Sequence, residues 1–329
     1  MRIQKAYIVY LVFPFFYFFL LSFLGKEFVL WPQVTELQGS DPIAVLTAFK
    51  SNAIRYLLTY PIFFFSSLFK LDLVFLFTVF GIFMITLSSY FLSRIVNLFL
   101  RSNMGLIDLL SLTFMGSLLF YANGRMIYAF LGTSLLVYTL LRCKILILDK
   151  RYFSLILLIL IGNLLTNVSS GTSTIAMTLT LTSLFFCLLD KRTFKPSLML
   201  LVSLAAAAYP LFLIYLDKNL TFYGNSLINM LEHGVGQYIF FTFETVILCV
   251  FLSTFVLLIA MKSFEGLVKY DKILVLSVFF LESIFIGLFG FNAMWPTFFI
   301  ALYTFSYIAL NEIIKLIKDY HLTTNETNN

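Results

Sequence analysis

A chain of 329 residues that is 61% hydrophobic and 12% charged, with 41 phenylalanines and a mean hydropathy of +0.98, has too little polar surface to cover a water-soluble domain. Its net charge of +6 is spread over short segments between apolar runs, which is an orientation signal rather than a nucleic-acid footprint. What remains is an all-α, polytopic integral membrane protein, read as a single membrane domain over residues 1–315 because no polar block is long enough to fold separately.

The first apolar run, residues 6–24, follows Arg2 and Lys5. It is long enough to span and no small-x-small cleavage site follows it, so it reads as a retained span with a cytoplasmic N-terminus. Residues 25–55 then fall outside. The next apolar stretch, 56–69, reaches only about 21 Å as a helix against a hydrocarbon core of about 30 Å. It is expected to be a re-entrant or interfacial helix on the outer face.

Spanning runs follow at about 71–93, 105–122, 125–141, 152–168, 173–189, 197–216, 238–261, 273–291 and 294–313. The cations cluster in the segments 94–101 (Arg94, Arg101), 142–151 (Arg142, Lys144, Lys150, Arg151), 191–195 (Lys191, Arg192, Lys195), 262–272 (Lys262, Lys269, Lys272) and the tail (Lys315, Lys318). All lie on one side if 71–93 runs inward and 56–69 does not cross. That gives about ten transmembrane helices, both termini cytoplasmic, and a tail at 316–329 expected to be disordered. Cys143, Cys187 and Cys249 have no ligand-like spacing, so neither a disulfide nor a metal site is expected.

Several residues stand out for chemistry. Asp41, before Pro42 in the first outer segment, is either a helix N-cap or an acid able to act as general base or to hold a divalent ion against a lipid diphosphate. Lys50 and Arg55 place cations after it. Arg125 opens a span just after an outer turn, with Tyr128 and Gly132 at i+3 and i+7; it either snorkels or binds an anionic head such as a diphosphate. Asn163, Thr166, Asn167 and Ser170 form a polar stripe answered by Thr174, Thr178 and Thr182, which is interhelical bonding or a wall for sugar hydroxyls. Asp108, Glu244 and Glu282 fall within or near spans, and Glu282 at mid-span must be neutral, paired or facing water. The outer loop 217–237 carries Lys218, Glu232 and His233, the last a solvated loop histidine or a catalytic group.

The order of features resembles the EpsG/Wzy-like polysaccharide polymerases over roughly residues 1–185. The similar elements are Gly39-Ser40-Asp41, Tyr60-Pro61, the run from Tyr121 to Ala129 (YANGRMIYA) and Asn167-Val168-Ser169. Where that family often carries a histidine near Asn167, this chain has none. The resemblance implies an O-antigen, capsule or exopolysaccharide polymerase in the bacterial cytoplasmic membrane, joining polyprenyl-diphosphate-linked repeat units on the outer face. Its substrate is a polyprenyl-linked oligosaccharide or sugar donor, and its protein partners are export or assembly proteins. It implies Arg125 as the anion-binding residue and Asp41 as the acid of the first outer loop.

The first outer loop also resembles that of GT-C glycosyltransferases, in which Asp41 would be the base for a single sugar addition and a divalent cation is admitted. A lipid-linked-sugar or small-solute transporter, with Glu282, Glu244 and Asp108 along a coupled pathway, is the reading from another class. The expected site comprises Asp41 and His233 as catalytic groups and Arg125, Tyr128, Arg55, Lys218, Asn167 and Glu282 as substrate contacts, with no metal and no cofactor.

Overall fold

The structure is a computed structural model that describes residues 5–25, 53–100, 104–120, 124–168, 170–222, 270–288 and 294–326. Asp41, His233, Glu244, Cys249 and the expected span at 238–261 lie outside the described residues. Among the described residues there are eleven helices and no strand. They are α1 (Lys5–Phe23), α2 (Ala53–Phe69), α3 (Leu73–Asn97), α4 (Met104–Phe120), α5 (Gly124–Leu141), α6 (Cys143–Leu148), α7 (Tyr152–Thr166), α8 (Ser170–Leu188), α9 (Phe194–Phe222), α10 (Tyr270–Leu288) and α11 (Met294–Glu326). The all-helical expectation is met, and two of them, Leu73–Asn97 and Trp295–Ile317, are long and apolar enough to cross a membrane.

Side-chain pairs set the direction of each neighbour. Tyr10 meets Tyr90 and Phe18 meets Phe75, so α1 is antiparallel to α3. Tyr10 also reaches Asp108 and Tyr17 reaches Gly116, so α1 is parallel to α4. The Phe91–Tyr138 ring contact at one end and the grouping of Phe77 and Phe80 with Ile127 and Tyr128 at the other make α3 parallel to α5. Ser111–Tyr303 and Phe114–Phe299 run α11 against α4. From α3 through α5, helices adjacent in sequence therefore alternate in direction. The basic connections after α3, around α6 and after α8 share one end, hereafter the basic end, and Lys144 near α6 bonds Asp190 after α8 at 3.0 Å.

Two glycines explain the tightest crossing. A Cβ on Gly132 would lie 2.8 Å from the Leu165 Cβ and 2.9 Å from the Gly162 carbonyl oxygen, so α5 and α7 touch backbone to backbone there. Gly116 likewise leaves room for the rings of Tyr17 and Phe13 from α1.

Buried hydroxyls are common in α3, yet they do not demand interhelical partners. Thr78, Thr86, Ser88 and Ser89 each donate to the carbonyl four residues back, and Ser93 donates three back to Tyr90. The outward faces of α1 and α7, by contrast, expose Phe15, Phe16 and Phe153.

Three elements depart from expectation. Residues 143–148, placed in a basic loop, form the short helix α6. Helix α9 continues to Phe222, because the chain holds no glycine between the apolar run and Gly224, so Lys218 sits on a helix rather than in a loop. Helix α11 continues to Glu326 through most of the tail expected to be disordered. No glycine or proline interrupts that tail, and Lys315 pairs with Glu312 one turn earlier at 3.0 Å.

Candidate functional site

The α2–α3 connection is a three-residue turn in which Lys70 takes a positive φ of 52° and Asp72 caps α3 by accepting the Phe75 backbone N–H at 2.8 Å. α2 folds back antiparallel on the first half of α3, with Phe65 against Phe80. It meets the start of α5 where the Tyr128 hydroxyl donates to the Leu58 carbonyl at 3.3 Å. Tyr128 is buried, so its hydroxyl serves the fold: it holds the first turn of α5 against α2. Beside it Ile62, Phe77, Phe80, Met84 and Ile127 pack into an apolar wall.

Arg125 is the second residue of α5, one turn before Tyr128, and Arg55 is one turn before Leu58 on α2. The α5 N-terminus, the Arg125 backbone and this apolar wall thus occupy one locality, at the end opposite the basic connections. Helix N-termini present unbonded N–H groups to anions.

No protein-family model, curated protein or solved structure matches this chain.

The polar stripe of α7 and α8 is satisfied largely by its own backbone. Asn163 donates to the Ile159 carbonyl, Thr166 to Asn163, Thr178 to Ile175 and Thr180 to Ala176. Cross-helix bonds are fewer: Asn163 reaches Thr180 at 3.5 Å, and Thr172 donates to the Thr166 carbonyl. Asn167 is the C-cap of α7, its backbone N–H bonded to the carbonyls of Asn163 and Leu164.

Thr182 behaves differently. Its hydroxyl donates to Oε1 of Glu282 on α10, joining α8 to α10, while Oε2 of Glu282 is buried without a hydrogen-bond partner. Ser183, next in α8, also buries a hydroxyl without a partner.

A second polar cluster, unforeseen in the sequence apart from Asp108, lies toward the basic end. Asp108 on α4 is fully buried; its Oδ1 accepts the Tyr10 hydroxyl at 2.8 Å, and Tyr10 is 3.1 Å from Ser93 Oγ. Ser111, one turn along α4, is 3.3 Å from the Tyr303 hydroxyl of α11. The signal that missed it is separation: Tyr10 and Asp108 are 98 positions apart in the chain.

At the basic end, the Arg192 backbone N–H and the Lys144 ammonium hold the Asp190 carboxyl below its ordinary value of 3.8. Cys143 and Cys187 are buried close by. Among the described residues no group of histidine, cysteine and carboxylate side chains could hold a metal ion.

Proposed function

We propose that the chain is a polytopic membrane protein that transfers glycosyl units from a polyprenyl-linked donor on the face opposite its basic connections, as a polysaccharide polymerase. The membrane part of the reading is supported by the hydrophobic composition, by the exposed phenylalanines on outward helix faces and by alternating helices whose cationic connections share one end. In a bacterial cytoplasmic membrane that end faces the cytoplasm, which puts both termini inside.

The observation that carries the transfer reading is the locality at the start of α5. A helix N-terminus with Arg125 in its first turn stands beside an apolar wall, held in place by the Tyr128–Leu58 bond. A polyprenyl diphosphate has the matching halves, an anionic head for the cation and helix end and a hydrocarbon tail for the apolar wall. In this reading Tyr128 positions the turn, and Asp41 in the first outer segment supplies the acid.

Purified protein incubated with labelled lipid-linked oligosaccharide tests the proposal. A ladder of polymer is the expected product. One added sugar would point instead to a GT-C-type transferase with Asp41 as base. Arg125→Ala is expected to reduce turnover at least tenfold in protein that remains inserted and folded, and undiminished polymer in that variant would remove Arg125 from the site.

A transport reading is favoured by one specific observation, the buried and unpartnered Oε2 of Glu282 at mid-helix. It predicts movement of a lipid-linked sugar across the bilayer with no covalent change.

A further inference from the structure

We propose that the buried cluster around Asp108 is a binding site for a small monovalent cation, sodium being the natural probe. Asp108 is fully buried, with one oxygen bonded to Tyr10 and the other, Oδ2, without a hydrogen-bond partner among the described residues. A buried carboxylate with one oxygen unsatisfied carries a desolvation cost, which a coordinated cation relieves. The ligands present are hard oxygens, the type that alkali cations take.

Four helices bring them together. Tyr10 comes from α1, Ser93 from α3, Asp108 and Ser111 from α4, and Tyr303 from α11. Ser111 is three positions after Asp108, on the same face of α4.

The charge balance sets the valence. The cluster holds a single carboxylate, and the other groups facing it are Tyr10, Tyr90, Tyr303, Tyr307 and Arg94. The Arg94 guanidinium sits 4.7 Å from the centre of the Tyr90 ring and does not take the free oxygen of Asp108. A single carboxylate balances one positive charge, which matches a monovalent cation and leaves a divalent ion with excess charge. The site rests on the helix packing alone and holds whichever reaction the opposite end performs.

The thermal midpoint of the purified full-length protein, titrated with sodium chloride against choline chloride at equal ionic strength, reads the site directly. Sodium is expected to raise the midpoint saturably, by about 2–4 °C near ten times its dissociation constant, and choline is not. Asp108→Asn is expected to abolish the rise, while Ser111→Ala and Tyr303→Phe shift half-saturation several-fold upward. Identical midpoints in the two salts, or a sodium-specific rise that persists in Asp108→Asn, would overturn the proposal. Should that variant not fold, an unchanged half-saturation concentration in both hydroxyl variants overturns it equally.

Discussion

Asp190 accepts the Arg192 backbone N–H at 2.9 Å and pairs with Lys144 at 3.0 Å, so two short segments at the basic end are joined through one carboxylate. Its folded titration lies below the ordinary value of 3.8. A carboxyl lowered in this way contributes stability above its unfolded value and loses that contribution as pH falls through the folded value. Asp190→Asn keeps an oxygen for the Arg192 N–H and removes the attraction to Lys144. The variant is therefore expected to melt slightly below the parent at neutral pH, with the difference shrinking as pH drops below 3.8 and strong salt narrowing it at any pH. Melting curves of both proteins between neutral and acid pH check this, and a gap that widens on acidification would contradict it. At the same scale, Asp108 and Glu282 share a condition that Asp190 lacks, an oxygen buried without a hydrogen-bond partner. Buried polar groups of that kind are rare in folded chains, which makes these two carboxylates the natural places to look for a bound species.

The α5–α7 crossing is decided by what is missing from it. Gly132→Ala would place a Cβ against the backbone oxygen of Gly162 and the Cβ of Leu165, neither of which is the yielding end of a flexible side chain. The expected cost is about 1–3 kcal/mol, read as a fall in the denaturation midpoint of the purified protein. Gly162→Ala meets Leu136 Cβ at 3.2 Å and the Gly132 carbonyl oxygen at 3.3 Å, and should cost less. Equal stability of the Gly132 variant and the parent would mean that the helices separate readily. Helix positions were legible in the sequence because long apolar runs bounded by cations specify them, and α3, α4, α5, α7 and α8 fall where those runs lie. Their ends were not always legible. Lys218 and the chain beyond 316 look polar enough for loop or tail, but nothing in either stretch stops a helix already under way. The polar stripe of α7 and α8 was visible as a pattern; that most of its hydroxyls bond their own backbone was not, since sequence spacing shows a face and not its partner.

At the scale of the whole molecule, alternating helix direction sorts the charges. Arg142, Lys150, Arg151, Lys191 and Arg192 gather at one end, while Lys70 stands at the other in the α2–α3 turn. If the bundle crosses a membrane with its basic end inside, a cysteine replacing Lys70 will react with a membrane-impermeant maleimide on intact cells, and one replacing Lys150 will react only after permeabilisation. Both lysines are exposed, and the described native cysteines, Cys143 and Cys187, are buried, so background labelling from those two is low. The reverse labelling pattern would invert the protein and move the Arg125 locality to the cytoplasm. Sequence spacing located that locality by its arginine and tyrosine but gave them equal standing. The fold gives the tyrosine hydroxyl to a helix carbonyl, the Leu58 oxygen of α2.

The glycine crossing also has a mechanical side. Two rods that touch backbone to backbone at one point scissor about it more readily than they slide, and Gly132 lies between Arg125 near one end of α5 and Arg142 just past the other. A small change in the angle between α5 and α7 would displace these two ends in opposite directions, by amounts set by their distances from the contact. Gly132 is thus the point of closest approach between the two helices, and it lies between the two arginines in the chain.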